Sequence, residues 1–265
     1  MKTFKESEFL ELKSGKTKLL VKKKESFVFY ATFIADEYKN LKIKKNDIVI
    51  DFGANIGDFT VKAGKLLNNT GKIIAIEPNH NNVEILKKNL ELNNIKNVEI
   101  FECAITNKNG YSWLDGDDVA AEVSDIGNVN RIKTINIENL LDELNHPKNM
   151  VIKMDIEGGE KYIFKNEEFV HNIREIAMEV HGKENIETIP KILKNNNFTI
   201  KEYKTADELK NTLKFALLHP LDFMRNEKLS RYIAINGAIC TFKNRKNPIP
   251  AINSDELKVI YAYKK

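Results

Sequence analysis

Only two cysteines occur in the 265 residues, Cys103 and Cys240. They are too few for a disulfide framework and lack the paired spacing of a zinc site, so both are expected to be reduced, structural thiols. No apolar run approaches the roughly 20 residues that span a bilayer. The opening residues, MKTFKESEFLELK, have no apolar stretch of the kind a secretory signal carries, which makes the cytoplasm the default compartment. Internal repeats and low-complexity linkers are also missing. What is present, 42% hydrophobic and 30% charged residues, is the balance of a chain that buries a sizeable core.

Charge is modest but unevenly placed. The net value is +4, and residues 1–46 hold twelve Lys against six Asp and Glu. Such a basic face attracts phosphate. No arginine or aromatic platform is interleaved with these lysines, which favours a solvated surface. Residues 1–46 read as a basic preamble packed on a main domain of residues 47–265. Within the preamble FVFYATF (27–33) looks like a strand, and IADEYKNLKIKKND (34–47) like a helix running into a turn.

From residue 47 the periods become regular. DIVIDFG (47–53), KIIAIEP (72–78), NVEIFECAI (97–105), MVIKMDIEG (150–158) and EIAMEVHG (175–182) are short runs rich in Ile and Val, as expected of strands covered on both faces. Two helical patterns separate the first three. Phe59, Ala63, Leu66 and Leu67 share one face, as do Val83, Leu86 and Leu90, with Asn79 placed to cap the second helix. The order βαβαβ predicts a parallel sheet with right-handed crossovers. Residues 107–137 break the rhythm and read as hairpin and loop, then come a short helix, ENLLDEL, and helices over 160–171 and 184–196. FTIKEYK (198–204) is a sixth strand, an insertion at about 205–245 holds two helical patterns, and LKVIYAYKK closes the sheet.

The stretch DFGANIGDFT (51–60) ends the first regular strand. In an open parallel sheet, ligands sit beyond the carboxyl ends of the strands where strand order reverses. Gly53 and Gly57 permit a tight turn and close backbone approach, and the following helix offers free N–H groups. Glu77, 20 residues after Gly57, is placed to accept both hydroxyls of a ribose. Two ligand classes fit, a dinucleotide and S-adenosylmethionine. The dinucleotide fingerprint G-x-G-x-x-G is absent, and Asp51 stands where it would begin, a carboxylate that would repel a pyrophosphate. Asp51 suits instead the ammonium of a methionine moiety and the electropositive sulfonium.

These residues resemble the FkbM-type methyltransferases, within the class I S-adenosylmethionine-dependent enzymes. The similarity runs from about Ala31 to Gly182 and is carried by VIDFGANIGDFT, IAIEPNHNNVEILKKNLELNN, AITNKNG, TINIENLLDEL, IKMDIEGGE and MEVHG. The resemblance implies a Rossmann-like α/β sheet of seven strands, the last antiparallel, with helices on both faces. It also implies methyl transfer, most often to a hydroxyl on a sugar, glycan or natural product.

With a period of two, Asp155 and Glu157 point one way at the end of their strand, as do Glu179 and His181 on the next. These four form the candidate catalytic set, with His181 as general base. Asp155 contacts the methionine end of the cofactor or orients the imidazole, and Glu157 or Glu179 holds the acceptor. The cofactor set is Asp51, Gly53, Ala54, Asn55, Gly57, Glu77, Ala104 and Asp155, with Cys103 and Ala104 beside the adenine. No metal is assigned, although Asp155, Glu157 and His181 would suit a divalent ion. His80 and His171 are expected at the surface, and Trp113 is as much a packing residue as a substrate platform. Three other functions stay open: an RNA methyltransferase using the basic preamble, a non-catalytic adenosyl-binding protein, and a nicotinamide-dependent oxidoreductase. The first is disfavoured because DIEG stands where base-amine methylation uses Asn-Pro-Pro-aromatic.

Overall fold

The computed structural model describes residues 8–115, 122–124, 130–221 and 257–264. The runs of Ile and Val do form the predicted strands: β3 (Ile48–Phe52), β4 (Lys72–Ile76), β5 (Val98–Phe101), β10 (Met150–Met154), β11 (Ile173–His181), β12 (Phe198–Glu202) and β13 (Leu257–Lys264). They assemble one seven-stranded sheet in the order β5-β4-β3-β10-β11-β13-β12, in which only β13 runs antiparallel to its neighbours. The chain builds outward from β3 to β5 and then returns to place β10 on the other side of β3. That reversal opens a crevice above the carboxyl ends of β3 and β10.

Helices cover both faces because the central strands are apolar on both. Ile50, Phe52, Ile152, Met154, Ile176 and Met178 join one core with Leu140 and Leu141 of α4 (Ile137–Glu143), Ile163 of α5 (Glu160–Ile163), Phe169 of α6 (Glu167–His171) and Ile189 of α7 (Lys183–Asn195). On the other face Val49, Ile73 and Val151 pack with Phe59, Ala63 and Leu67 of α2 (Asp58–Leu67). Leu66, expected on that inner stripe, is 52% exposed. Asn79 caps α3 (His80–Asn93) as predicted, its side chain accepting from the Asn81 N–H at 2.9 Å. Val83, Leu86 and Leu90 are all buried.

Three stretches differ from their sequence reading. Residues 97–105 are not one strand: after β5 the chain breaks at Glu102 and Cys103, and β6 (Ala104–Ile105) joins a second sheet, ordered β6-β9-β7-β8. That sheet contains β7 (Gly110–Asp115), β8 (Glu122–Ser124) and β9 (Arg131–Ile135), the hairpin expected in the irregular segment and carrying Trp113. FVFYATF is helical rather than extended, forming α1 (Phe27–Phe29) and a π-helical turn (Tyr30–Ala35) that ends at Asp36 in the left-handed region. Burial of Val28, Phe29, Thr32 and Ile34 fits a helical spacing and overrides aromatic strand propensity. The following residues, expected to be helical, form turns. The second helical pattern of the insertion lies outside the described residues, and α8 (Thr205–Leu218) is the first.

The preamble opens with a hairpin, β1 (Phe9–Ser14) and β2 (Thr17–Lys22). Its outer backbone is satisfied by two asparagines one turn apart on α3. Asn89 accepts from the Leu20 N–H (2.7 Å) and donates to the Leu20 carbonyl (3.0 Å) and the Ile56 carbonyl (2.8 Å). Asn93 treats Lys18 in the same way, accepting at 3.1 Å and donating at 2.6 Å. A fully buried side chain thus closes three backbone groups. Asn89→Ala should destabilise the fold by about 2 to 3 kcal/mol, the cost of leaving buried polar groups unmet. Urea unfolding measures it, and amides of β2 should lose hydrogen-exchange protection first.

Candidate active site

Two adjacent strands meet at the floor of the crevice. Asp51 and Lys153 are register partners on β3 and β10, so their side chains leave the same face of the sheet side by side. Lys153 Nζ lies 3.3 Å from Asp51 Oδ1 and donates to the Gly53 carbonyl at 2.6 Å, with both side chains buried. Burial alone would pull the lysine down, yet the carboxylates of Asp51, Asp155 and Asp58 hold it above the ordinary lysine range. Thr60 donates to the other Asp51 oxygen at 2.6 Å. Asp51, expected to face a ligand ammonium, is therefore enclosed beneath the loop and already neutralised.

Above this pair the glycine loop turns on three positive dihedrals, φ 73° at Gly53, 48° at Asn55 and 84° at Gly57. A Cβ at Gly53 would stand 1.8 Å from the Asp155 carbonyl oxygen, so the loop and the end of β10 touch backbone to backbone. The loop amides are largely spoken for. Gly53 and Ala54 N–H donate to the Ile76 carbonyl, Gly57 N–H to Ala54, and Asn55 N–H to Glu77 at 2.8 Å. Asp58 opens α2 with a carboxyl that burial pushes up to about 6, and Thr32 donates to it. A pyrophosphate would find neither a free nest of amides nor an uncharged helix start.

Glu77 is buried at the end of β4 and arranges the loop around itself. One oxygen accepts from Asn55, the other from the Asn79 N–H (3.0 Å) and Asn82 Nδ2 (3.3 Å). Burial raises its carboxyl, and these donors oppose that rise. A carboxylate offers about four acceptor directions, so room remains for an incoming hydroxyl. Asn55 Oδ1 is also sequestered with no hydrogen-bond partner. Cys103 and Ala104 are buried at the β5–β6 break, and burial pushes the Cys103 thiol up to about 11.

The four candidate catalytic side chains do converge. His181 Nε2 lies 3.4 Å from Glu157, 3.9 Å from Asp155 and 3.9 Å from Glu179. Its other nitrogen, Nδ1, is 3.0 Å from Oε1 of Glu160, a fully buried carboxylate whose second oxygen accepts from Asn185 Nδ2 at 2.9 Å. Burial opposes the imidazolium, but the Glu160 bond and the charges of Glu157 and Asp155 hold the ring at about 9. Burial, with Asp155 and Glu37 nearby, raises Glu179 well above the usual carboxylate range. A ring already protonated at neutral pH is a donor, so His181 as a base requires that proton to leave. His80 and His171 are exposed, as expected.

Four contributors escape motif reading. Lys153 leaves one trace, a lone cation inside the apolar run MVIKM. Glu160 and Asn185 sit one and two steps behind the imidazole and bear no pattern of their own. Glu37, from the turn after the π-helix, reaches the electrostatic field of Asp155 and Asp58, and burial lifts it to about 8.

Residues 51–200 match the family described as the methyltransferase FkbM domain. A solved structure of a methyltransferase FkbM from Methylobacillus flagellatus has a similar fold, with a TM-score of 0.52 at 15% identity, covering 88% of this chain and 48% of that one. Among curated proteins, probable cobalt-precorrin-6B C(15)-methyltransferases from Sulfurisphaera tokodaii and Sulfolobus acidocaldarius are 43% and 38% identical over 53 residues. Those segments are 20% of this chain, and the match spans 28% of the length of each relative.

The Asp51 and Lys153 pair yields a test of the floor. Lys153→Met should cost about 3 to 5 kcal/mol because it strands a buried carboxylate. Adding Asp51→Asn should recover much of that loss, and urea denaturation of the double-mutant cycle measures the coupling.

Proposed function

This chain belongs to the methyltransferase FkbM family of S-adenosylmethionine-dependent enzymes, and we propose that it methylates a hydroxyl oxygen on a sugar, glycan or small natural product. The family match over the very residues that form the crevice carries the reading. Glu77 would hold the ribose, Gly53 and Ala54 would let the donor approach the backbone, and Ala104 would flank the adenine. Asn55 Oδ1, an acceptor with no partner, suits a cationic or N–H donor of the methionine end. Asp155 stands at the junction of donor and acceptor sides, while Asp51 acts from beneath.

The reaction is an in-line displacement. The acceptor oxygen forms a bond to the methyl carbon, the carbon–sulfur bond breaks with its electron pair passing to sulfur, and the hydroxyl proton leaves to the acidic cluster. Alignment of oxygen, carbon and sulfur is worth about 7 to 11 kcal/mol. Assisted proton removal adds about 10² to 10⁴ in rate. Asp155, Glu157, Glu179 and His181 form the acceptor side in this reading, since they are the polar groups that gather beyond β10 and β11.

Calorimetric titration should show one S-adenosylmethionine or S-adenosylhomocysteine per chain and no NAD. Glu77→Gln should weaken that binding by about 10- to 100-fold, the worth of a hydrogen bond to a charged group, and circular dichroism checks that the variant, which also loses an acceptor for the loop, is folded. Undiminished affinity in the variant would count against the ribose assignment. For the acceptor, methyl transfer to hydroxylated carbohydrates is expected. Saturable methylation of RNA with none of carbohydrates would replace the reading by the nucleic-acid one.

A further inference from the structure

We propose that Asp155, Glu157 and His181 bind one divalent cation of the Mn²⁺ type. One donor atom from each residue lies within 4.8 Å of the others. Around an ion with bonds of about 2.0 to 2.2 Å, neighbouring ligand atoms stand about 3 to 4 Å apart. The distances from His181 Nε2, 3.4 Å to Glu157 and 3.9 Å to Asp155, fall in that window. They are long for good hydrogen bonds, and an ion would take the place of the Nε2 proton that these carboxylates otherwise hold on the ring.

Two further features point to an ion. The first is the ring's orientation. Nδ1 is tied to Glu160, which is buried and held in turn by Asn185 and the Gly158 N–H (3.3 Å), so Nε2 is the nitrogen turned to the carboxylates. Metal-ligating histidines are commonly fixed by such a carboxylate on the far nitrogen. The second is Asp155 Oδ1, an oxygen with no accessible surface and no hydrogen-bond partner, which lies on the Nε2 side of the ring. A buried acceptor left unmet costs free energy that a cation recovers.

Two carboxylates and one imidazole form a mixed set in which oxygen predominates, which favours Mn²⁺ over thiolate-seeking ions. Three protein ligands leave about half of an octahedron open for water and one acceptor oxygen. Glu179, outside the triad at 3.9 Å from Nε2, is then the carboxylate available for the proton of a coordinated hydroxyl. Ion binding stands on the geometry alone, whereas its place in catalysis rests on the methyl-transfer reading.

The test uses the full chain, freed of metal with a chelator, titrated with Mn²⁺ and followed by loss of the free-ion electron paramagnetic resonance signal. One Mn²⁺ per chain is expected, with affinity at least about tenfold weaker in His181→Ala and in Asp155→Asn. Glu160→Gln, which touches no ion, should weaken binding by about 10- to 100-fold through the ring's orientation. Circular dichroism checks that each variant is folded. Should a variant fail to fold, nitrogen hyperfine coupling to Mn²⁺ in the unaltered protein reports imidazole ligation directly. No stoichiometric Mn²⁺, equal affinity in folded His181→Ala and Asp155→Asn, or bound Mn²⁺ without nitrogen coupling would each overturn the proposal. Titrating S-adenosylmethionine into the same samples separates the two readings: Mn²⁺ binding without donor binding supports the ion site and sinks the methyl-transfer assignment.

Discussion

The buried pair between Asp51 and Lys153 is the constraint on which the crevice depends. It joins the two strands that flank the reversal of strand order, one register position before each strand gives way to a loop. A desolvated ion pair is not a source of large stability, and a well-packed apolar pair would serve the fold as well or better. What it supplies is position. By also donating to the Gly53 carbonyl, Lys153 fixes the first turn of the glycine loop, and Gly53 in turn rests on the backbone of Asp155. The glycine loop and the end of β10 are thus referred to one point.

From that point charge organises outward. Lys153 is paired with Asp51 and the loop and reaches Asp155 and Glu179 only through its field, while His181 lies within 4 Å of Asp155, Glu157, Glu160 and Glu179. One proton on an imidazole cannot neutralise four carboxylates, and Glu179, raised first by burial, is pushed further up by Asp155 and Glu37. A sulfonium arriving on one side and a dication on the other would each relieve this negative charge. The acidic excess is a physical reason for the site to prefer cationic ligands and to exclude a dinucleotide.

What the sequence made legible was whatever is local or periodic. Strand runs, the caps at Asn79, the glycine turns and the convergence of Asp155 and Glu157 with Glu179 and His181 follow from spacing within one or two segments. Pairings that depend on register between distant strands did not. The lysine that pairs with Asp51 lies 102 positions away, and nothing in VIKMD says which neighbour it will meet. FVFYATF misled for a related reason: its aromatic content favours a strand in isolation, while the surfaces it must fit, β1–β2 and α3, are specified elsewhere. The break after β5 was hidden by continuous strand-like composition, and only the second sheet that captures Ala104 and Ile105 reveals it.

The basic preamble shows how a compositional signal changes meaning once contacts are known. As a charge count it left a phosphate-binding face open beside the favoured reading of a solvated surface. In the structure Lys22 is half withdrawn from solvent, pairing with buried Glu25 at 3.2 Å and donating to Asn82 Oδ1 at 3.1 Å. Asn82 donates in turn to Glu77, the residue that holds the ribose in the proposed reading. Lys39 donates to Asn211 of α8 at 2.8 Å, and Lys62, from the helix that follows the glycine loop, reaches back to Asp36 and to the Thr32 carbonyl. The segment is therefore bound to the sheet at both ends, through α3 and through α2. A lysine whose ammonium is held by Glu25 and Asn82 is not available to a polyanion at the same time. Lys22 and Lys39 thereby have tasks within this chain, and a count of positive residues overstates the charge that faces outward.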